Sequence, residues 1–176
     1  MSRLQSLPAR GLVRGVYEEE AKYADPIMNN VYSAFASVIL REAARTDAAD
    51  VVRLIRNSVD AGSPITEEYV HEYIENPKSK ILLVEKDGRV VGLLSYSIRP
   101  DLWHATICCF IEEIVVEESE RGKGIGTQLI QSVMEEMKKS GCAEIVLIVD
   151  KENIAAQRLY IRLGIDEEAM CLEKHL

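Results

Sequence analysis

The chain is poor in the residues that staple small secreted or metal-bound proteins. Its four cysteines, Cys108, Cys109, Cys142 and Cys171, show neither the paired spacing of a zinc site nor the density of a disulfide framework. Reduced thiols in a cytoplasmic setting fit that usage. Histidine is rarer still: His71, His104 and His175 fall at no metal-ligand spacing, so no metal is expected. No window holds the 18 or more apolar residues that a membrane span needs. The longest uncharged stretch, Pro26 to Leu40, includes two asparagines and two serines, so a membrane partner is not expected. Positive charge is in deficit, with 21 basic against 29 acidic side chains and a net charge of −8. Binding a polyanion takes clustered Lys and Arg, so nucleic acid is not expected as a partner. Internal repeats and low-complexity segments are also missing.

What remains is 47% hydrophobic and 28% charged, the balance of a soluble globular protein long enough to bury one sizeable core. Residues 1–37 differ from the rest. They carry Arg3, Arg10 and Arg14 with no acid before Glu18, then Glu18, Glu19 and Glu20, then a mildly apolar stretch from Val31 to Phe35. We read 1–37 as an N-terminal extension, a solvated or helical arm rather than a targeting peptide, and 38–176 as the folded domain.

From Val38 the pattern is mixed α/β. Val38 to Leu40 reads as a strand, and a helix starting near Asp47 presents Val51, Leu54 and Ile55 on one face before Gly62-Ser63-Pro64. Thr66 caps a second helix to Ile74, closed by Asn76-Pro77. Lys80 to Lys86 and Arg89 to Ile98 form a hairpin about Asp87-Gly88. Arg99-Pro100-Asp101 reads as a loop, and Ala105 to Val116 as a further strand. Ile125, Leu129, Ile130, Val133 and Met137 then fall at helical spacing. The apolar run Ile145 to Val149 reads as a central strand covered on both faces. Asn153 caps a helix that Gly164 stops, and Ala169 to Leu176 reads as a last strand.

The sharpest feature is Arg121-Gly122-Lys123-Gly124-Ile125-Gly126-Thr127, lying where a strand ends and a helix begins. Glycines let a ligand approach the backbone, and the unpaired N–H groups of the helix start suit a phosphate. A P-loop is excluded because Lys123 is followed by Gly124. The dinucleotide fingerprint is excluded because its third glycine would fall at Thr127 or Leu129. Asp150, ending the next strand where a ribose-binding acid would sit, keeps a nucleotide binder as a minor rival.

The spacing Arg121-x-x-Gly124-x-Gly126 does resemble that of the GNAT superfamily of acyl-CoA-dependent N-acetyltransferases. Upstream, Ile111-Glu112-Glu113-Ile114-Val115-Val116 is similar to that family's fourth strand. Downstream, Asn153-x-x-Ala156-x-x-Leu159-Tyr160-x-x-x-Gly164 is similar to its last helix. The three motifs agree in order and separation, and the resemblance covers 38–176; Glu118 departs from a position where relatives often carry proline. The resemblance implies a mostly antiparallel sheet whose fourth and fifth strands splay apart around acetyl-CoA, the co-substrate. It implies that Arg121, Gly122, Lys123, Gly124, Ile125, Gly126 and Thr127 hold the pyrophosphate, and that Ile114 and Val116 offer main-chain bonds to the pantetheine arm. Asn153 and Ala156 would line its other side, Tyr160 would protonate the departing thiolate, and Glu112 would draw a proton from the amine through water. It also implies an acceptor that is an amine-bearing small molecule or protein, and it admits a homodimer.

Strand alternation would send Glu112 and Glu113 to opposite faces, with Phe110, Ile114 and Val116 sharing the side of Glu112. Asp60, Glu67, Glu68, Glu72 and Glu75 on the first helical pair make a cationic acceptor plausible there. The expected function is acetyl transfer from acetyl-CoA to a primary amine. The alternative is a catalytically idle acyl-CoA-binding module.

Overall fold

β3 is the organising strand, because both of its neighbours are joined to it by short connections. In a computed structural model that describes residues 38–59 and 61–174, β2 (Ser79–Lys86) and β3 (Arg89–Asp101) form the expected hairpin. Asp87 and Gly88 sit at φ +52° and +76°, the pair of positive values that a type I′ reversal requires. β3 then turns into β4 (Thr106–Val116), also antiparallel. β1 (Val38–Glu42) pairs outside β2, and β5 (Glu144–Leu147) pairs parallel to β4. The five-stranded sheet therefore runs β1-β2-β3-β4-β5. The extension 1–37, Asp60 and His175 lie outside the described residues.

Each face of the sheet is covered by helices. One carries α1 (Ala48–Ser58) and α2 (Glu67–Glu75), whose Val51, Leu54 and Val70 pack on Leu83, Leu93 and Val115. The other carries α3 (Ile125–Lys139), which buries Leu129, Ile130, Val133 and Met137 against Val84, Leu94, Tyr96 and Ile111, with Leu159 and Tyr160 of α4 (Ile154–Arg162) beside them. The predicted caps form: Thr66 Oγ1 accepts from Tyr69 N at 3.2 Å and Asn153 Oδ1 from Ala156 N at 3.1 Å. α1 is fastened to the sheet by Asp47, which accepts from Arg41 at 2.7 and 2.8 Å and from Ala44 N at 2.8 Å. The start of α3 lies close to β3 at Gly92, where a Cβ would stand 3.2 Å from Val115 O and 3.1 Å from Ile125 Cγ2.

Three expectations are corrected. Arg99-Pro100-Asp101 belongs to β3 and pairs with Cys108, Ile107 and Thr106. Ile98 N donates to Lys78 O on the β2 side, so Pro100, of the same parity, turns its missing N–H to that side beyond the start of β2, where proline is tolerated. β5 is an edge strand of four residues, not a central one, and Val146 and Ile148 are 36% and 51% exposed. The reason is that residues 169–174 form no strand, so the outer side of β5 has no pairing partner among the described residues.

Candidate active site

The site begins where two strands part. Pairing between β4 and β5 ends at Ile111 with Leu147, while β4 continues to Val116. Glu117 N donates to Val91 O on β3 at 2.9 Å. Alternation along the strand therefore turns the main-chain groups of Ile114 and Val116 to the opposite side, into the gap that β5 has left. At the top of that gap Gly122 and Gly124 take φ +75° and +87°, left-handed values that carry the chain from the Glu118–Glu120 turn straight into α3. Gly124 caps α3 with no side chain, and the helix ladder starts at Gln128 N to Gly124 O, 3.0 Å. The N–H groups of Ile125, Gly126 and Thr127 thus lie upstream of the ladder at the positive end of the helix dipole.

These residues fit an acyl-CoA: a parted sheet with outward main-chain groups, then a glycine cradle and an uncapped helix start. Two cradle cations are partly committed. Arg121 Nε donates to Val116 O at 3.0 Å, so Val116 turns chiefly its N–H to a ligand. Lys123 and Lys86 lie 3.2 and 2.9 Å from Glu120 and hold its carboxyl below the ordinary range. At Gly126 a Cβ would stand 3.3 Å from Leu159 Cδ2 of α4.

On the α1/α2 face lies a cavity of about 140 Å3, walled mainly by apolar side chains of α1, α2, β2 and β3, with Ser95, Glu112 and Glu113 at its polar end. Both glutamates reach it, which corrects the expectation of opposite faces. The β3–β4 register pairs Ser95 with Glu113 but Tyr96 with Ile111, leaving Glu112 as the extra residue of a β-bulge. Ile111, Ile114 and Val116 pack on the α3 side and Val115 on the α1/α2 side, so Ile114 and Val116 do not share the side of Glu112.

Tyr73 Oη donates to Glu112 Oε2 at 2.7 Å and lies 3.3 Å from Tyr96 O. Burial, then the Glu112 carboxylate, pushes the Tyr73 hydroxyl up. Partial burial and the neighbouring Glu112 charge push Glu113 above the ordinary carboxylate range. Tyr160 is pushed up by burial and then by Glu113, so this tyrosine of α4 feels the charge of a carboxylate on the other face of β4.

The sequence reading brought Glu112 and Tyr160 to this region but missed Tyr73 and Ser95. Tyr73 sits three residues after the buried Val70 and reads as helix packing; nothing local ties it to a carboxylate 39 residues away. The acids of α2 do not line the cavity; Glu75 is bound by Arg45. Elsewhere, His104 Nδ1 lies 2.5 Å from Asp101 Oδ2, with Glu144 near both, a cluster that sequence spacing did not reveal.

The description "Acetyltransferase (GNAT) family" matches residues 50–165. The chain is 31% identical over 144 residues to the mouse thialysine N-epsilon-acetyltransferase, covering 73% of this chain and 84% of the relative. It is also 31% identical to a Bacillus subtilis protein assigned as a ribosomal protein bS18-alanine N-acetyltransferase, covering 58% of this chain and 64% of that relative, just under two thirds of its length. Among solved structures, a transcriptional regulator from Bacillus halodurans superposes with a TM-score of 0.71 at 27% identity, over 79% of this chain and 99% of that one. With the family match spanning residues 50–165, most of the folded domain, the chain belongs to the acetyltransferase (GNAT) family.

Proposed function

We propose that the chain transfers an acetyl group from acetyl-CoA directly to a primary amine, with 38–176 as the catalytic unit. The observation that carries the reading is the gap beyond Ile111 and Leu147: the α3 start and Tyr160 lie on one face of the sheet there, and Glu112 and Glu113 on the other. Acetyl-CoA supplies an activated thioester carbonyl. The cradle from Arg121 to Thr127 holds its pyrophosphate through backbone N–H groups, Ile114 and Val116 hold the pantetheine arm, and Asn153 and Ala156 flank that arm.

An alkylammonium has a pKa of about 10.4, so stripping its proton at pH 7 costs about 4.6 kcal/mol. Glu112, fixed by Tyr73, takes that proton through water. As the C–N bond forms and the C–S bond breaks, the Tyr160 hydroxyl gives its proton to sulfur. A tyrosine held in its protonated form suits that task, and burial together with the Glu113 charge holds it so. Four free thiols among the described residues support a cytoplasmic setting, and no helix there is long and apolar enough to cross a membrane.

Thermal shift with acetyl-CoA against NAD and ATP, then thiol release with a panel of amines, tests the reading. Tyr160→Phe is expected to lower turnover about 100-fold or more while acetyl-CoA affinity stays within about two-fold. Stabilisation by acetyl-CoA with no turnover on any amine would mean an idle acyl-CoA-binding module.

A further inference from the structure

Every charged side chain that lines the cavity is negative: the bulge turns Glu112 and Glu113 into it together, and the polar company is Ser95 with Tyr69 and Tyr73. The rest of the wall is apolar, including Val51, Ile55, Ile65 and Leu93. The arginines around α1 and α2 are engaged elsewhere. Arg45 binds Glu75, Arg53 binds Asp50 and Glu117, and Arg41 binds Asp47 and Glu85. Arg56 donates to Ile65 O at 2.7 Å and does not line the cavity.

We propose that the acceptor is a cationic alkyl amine with no carboxylate near its reactive nitrogen, such as a diamine or longer polyamine, its methylene arm lying in this cavity between α1, α2 and the bulge of β4. This deepens the acetyltransferase reading and rests on it. A cavity of about 140 Å3 holds four or five groups the size of a water, at about 30 Å3 each, which suits an arm of about four carbons. Each methylene buried against that wall favours binding about four-fold. An amino acid such as ornithine would carry its carboxylate beside Glu112 and Glu113 if its α-amine reacted, where like charges repel, or against the apolar wall if its δ-amine did, and no lining cation meets it in either place. The reaction is unchanged: the amine nitrogen bonds the acetyl carbon and the C–S bond breaks; of the two protons the ammonium loses, one passes through Glu112 to solvent and the other makes up for the one Tyr160 gives to sulfur.

Thiol release from acetyl-CoA is measured with 1,4-diaminobutane and with ornithine, which is the same chain bearing a carboxylate. We expect kcat/KM for the diamine to exceed that for ornithine about ten-fold or more. In Glu113→Gln we expect the diamine value to fall and the preference to shrink to about two-fold. Equal or better turnover of ornithine, or a preference that Glu113→Gln leaves intact, overturns the proposal while leaving acetyl transfer standing. Thiol release with no member of the amine panel, these two and an alanine-ended peptide included, overturns the acetyltransferase reading itself.

Discussion

At the scale of single residues, one inserted position sets the chemistry. Glu112 is the extra residue opposite the Ser95–Tyr96 step; in a strand of unbroken alternation Glu113 would share the α3 side of Ile111 and leave the cavity. Partial burial, and after it the closeness of Glu112, raises the carboxyl of Glu113. A carboxylate NMR titration should therefore place the Glu113 midpoint above the ordinary Glu value, and Glu112→Gln should lower it. The linkage to stability has a definite sign. A carboxyl whose folded pKa lies above its unfolded one stabilises the fold when protonated, and that contribution is lost as pH rises through the folded value. Glu113→Gln should accordingly raise Tm at pH 7 by about 2 °C even as turnover falls. The cavity-facing carboxylate is thus held at some cost to the fold.

Between elements, two contacts decide how the helices meet the sheet. Asp47 ties α1 to β1 through Arg41 and Ala44, and the Arg41 bonds, against the opposing cost of burial, hold its carboxyl below the usual range. Asp47→Ala should cost about 3 kcal/mol in urea denaturation. The depressed pKa places this stability above the unfolded value, and it disappears as pH falls through the folded one. Gly92→Ala tests the other contact. Its Cβ would meet Val115 O at 3.2 Å, a backbone atom that cannot rotate aside, so the β3–β4 seam or the start of α3 must shift. Loss of about 2 kcal/mol with weaker acetyl-CoA binding is expected, read by thermal shift with and without acetyl-CoA. The caps of α2 and α4 were readable because a Thr or Asn side chain satisfies an N–H three residues away. The edge position of β5 was not, because an apolar run of that length reads alike whether or not a further strand covers it.

For the molecule as a whole, the net charge of −8 complements the cationic acceptor proposed above, while the CoA phosphates are expected to depend on local backbone dipoles at α3. Raising the ionic strength from about 0.02 to about 0.5 M should lower kcat/KM for 1,4-diaminobutane about five-fold while leaving kcat nearly unchanged, because screening weakens the approach of a dication and not the chemistry. Steady-state kinetics at several salt concentrations would read this directly. A kcat that falls in parallel would show that the charge acts on the bound complex instead.

Sequence alone determined the helices, the β2–β3 hairpin and the glycine loop, since turn residues, helix caps and hydrophobic periodicity act through hydrogen bonds and packing within a few positions of each other. The tertiary structure decided which side each carboxylate faces, that Tyr73 holds Glu112, and that β5 lies at the edge. These depend on the register between β3 and β4, on a helix meeting a strand 39 residues away, and on whether a later segment pairs. Each is a choice between distant pieces of chain that share no local hydrogen bond, and only the packed sheet makes it.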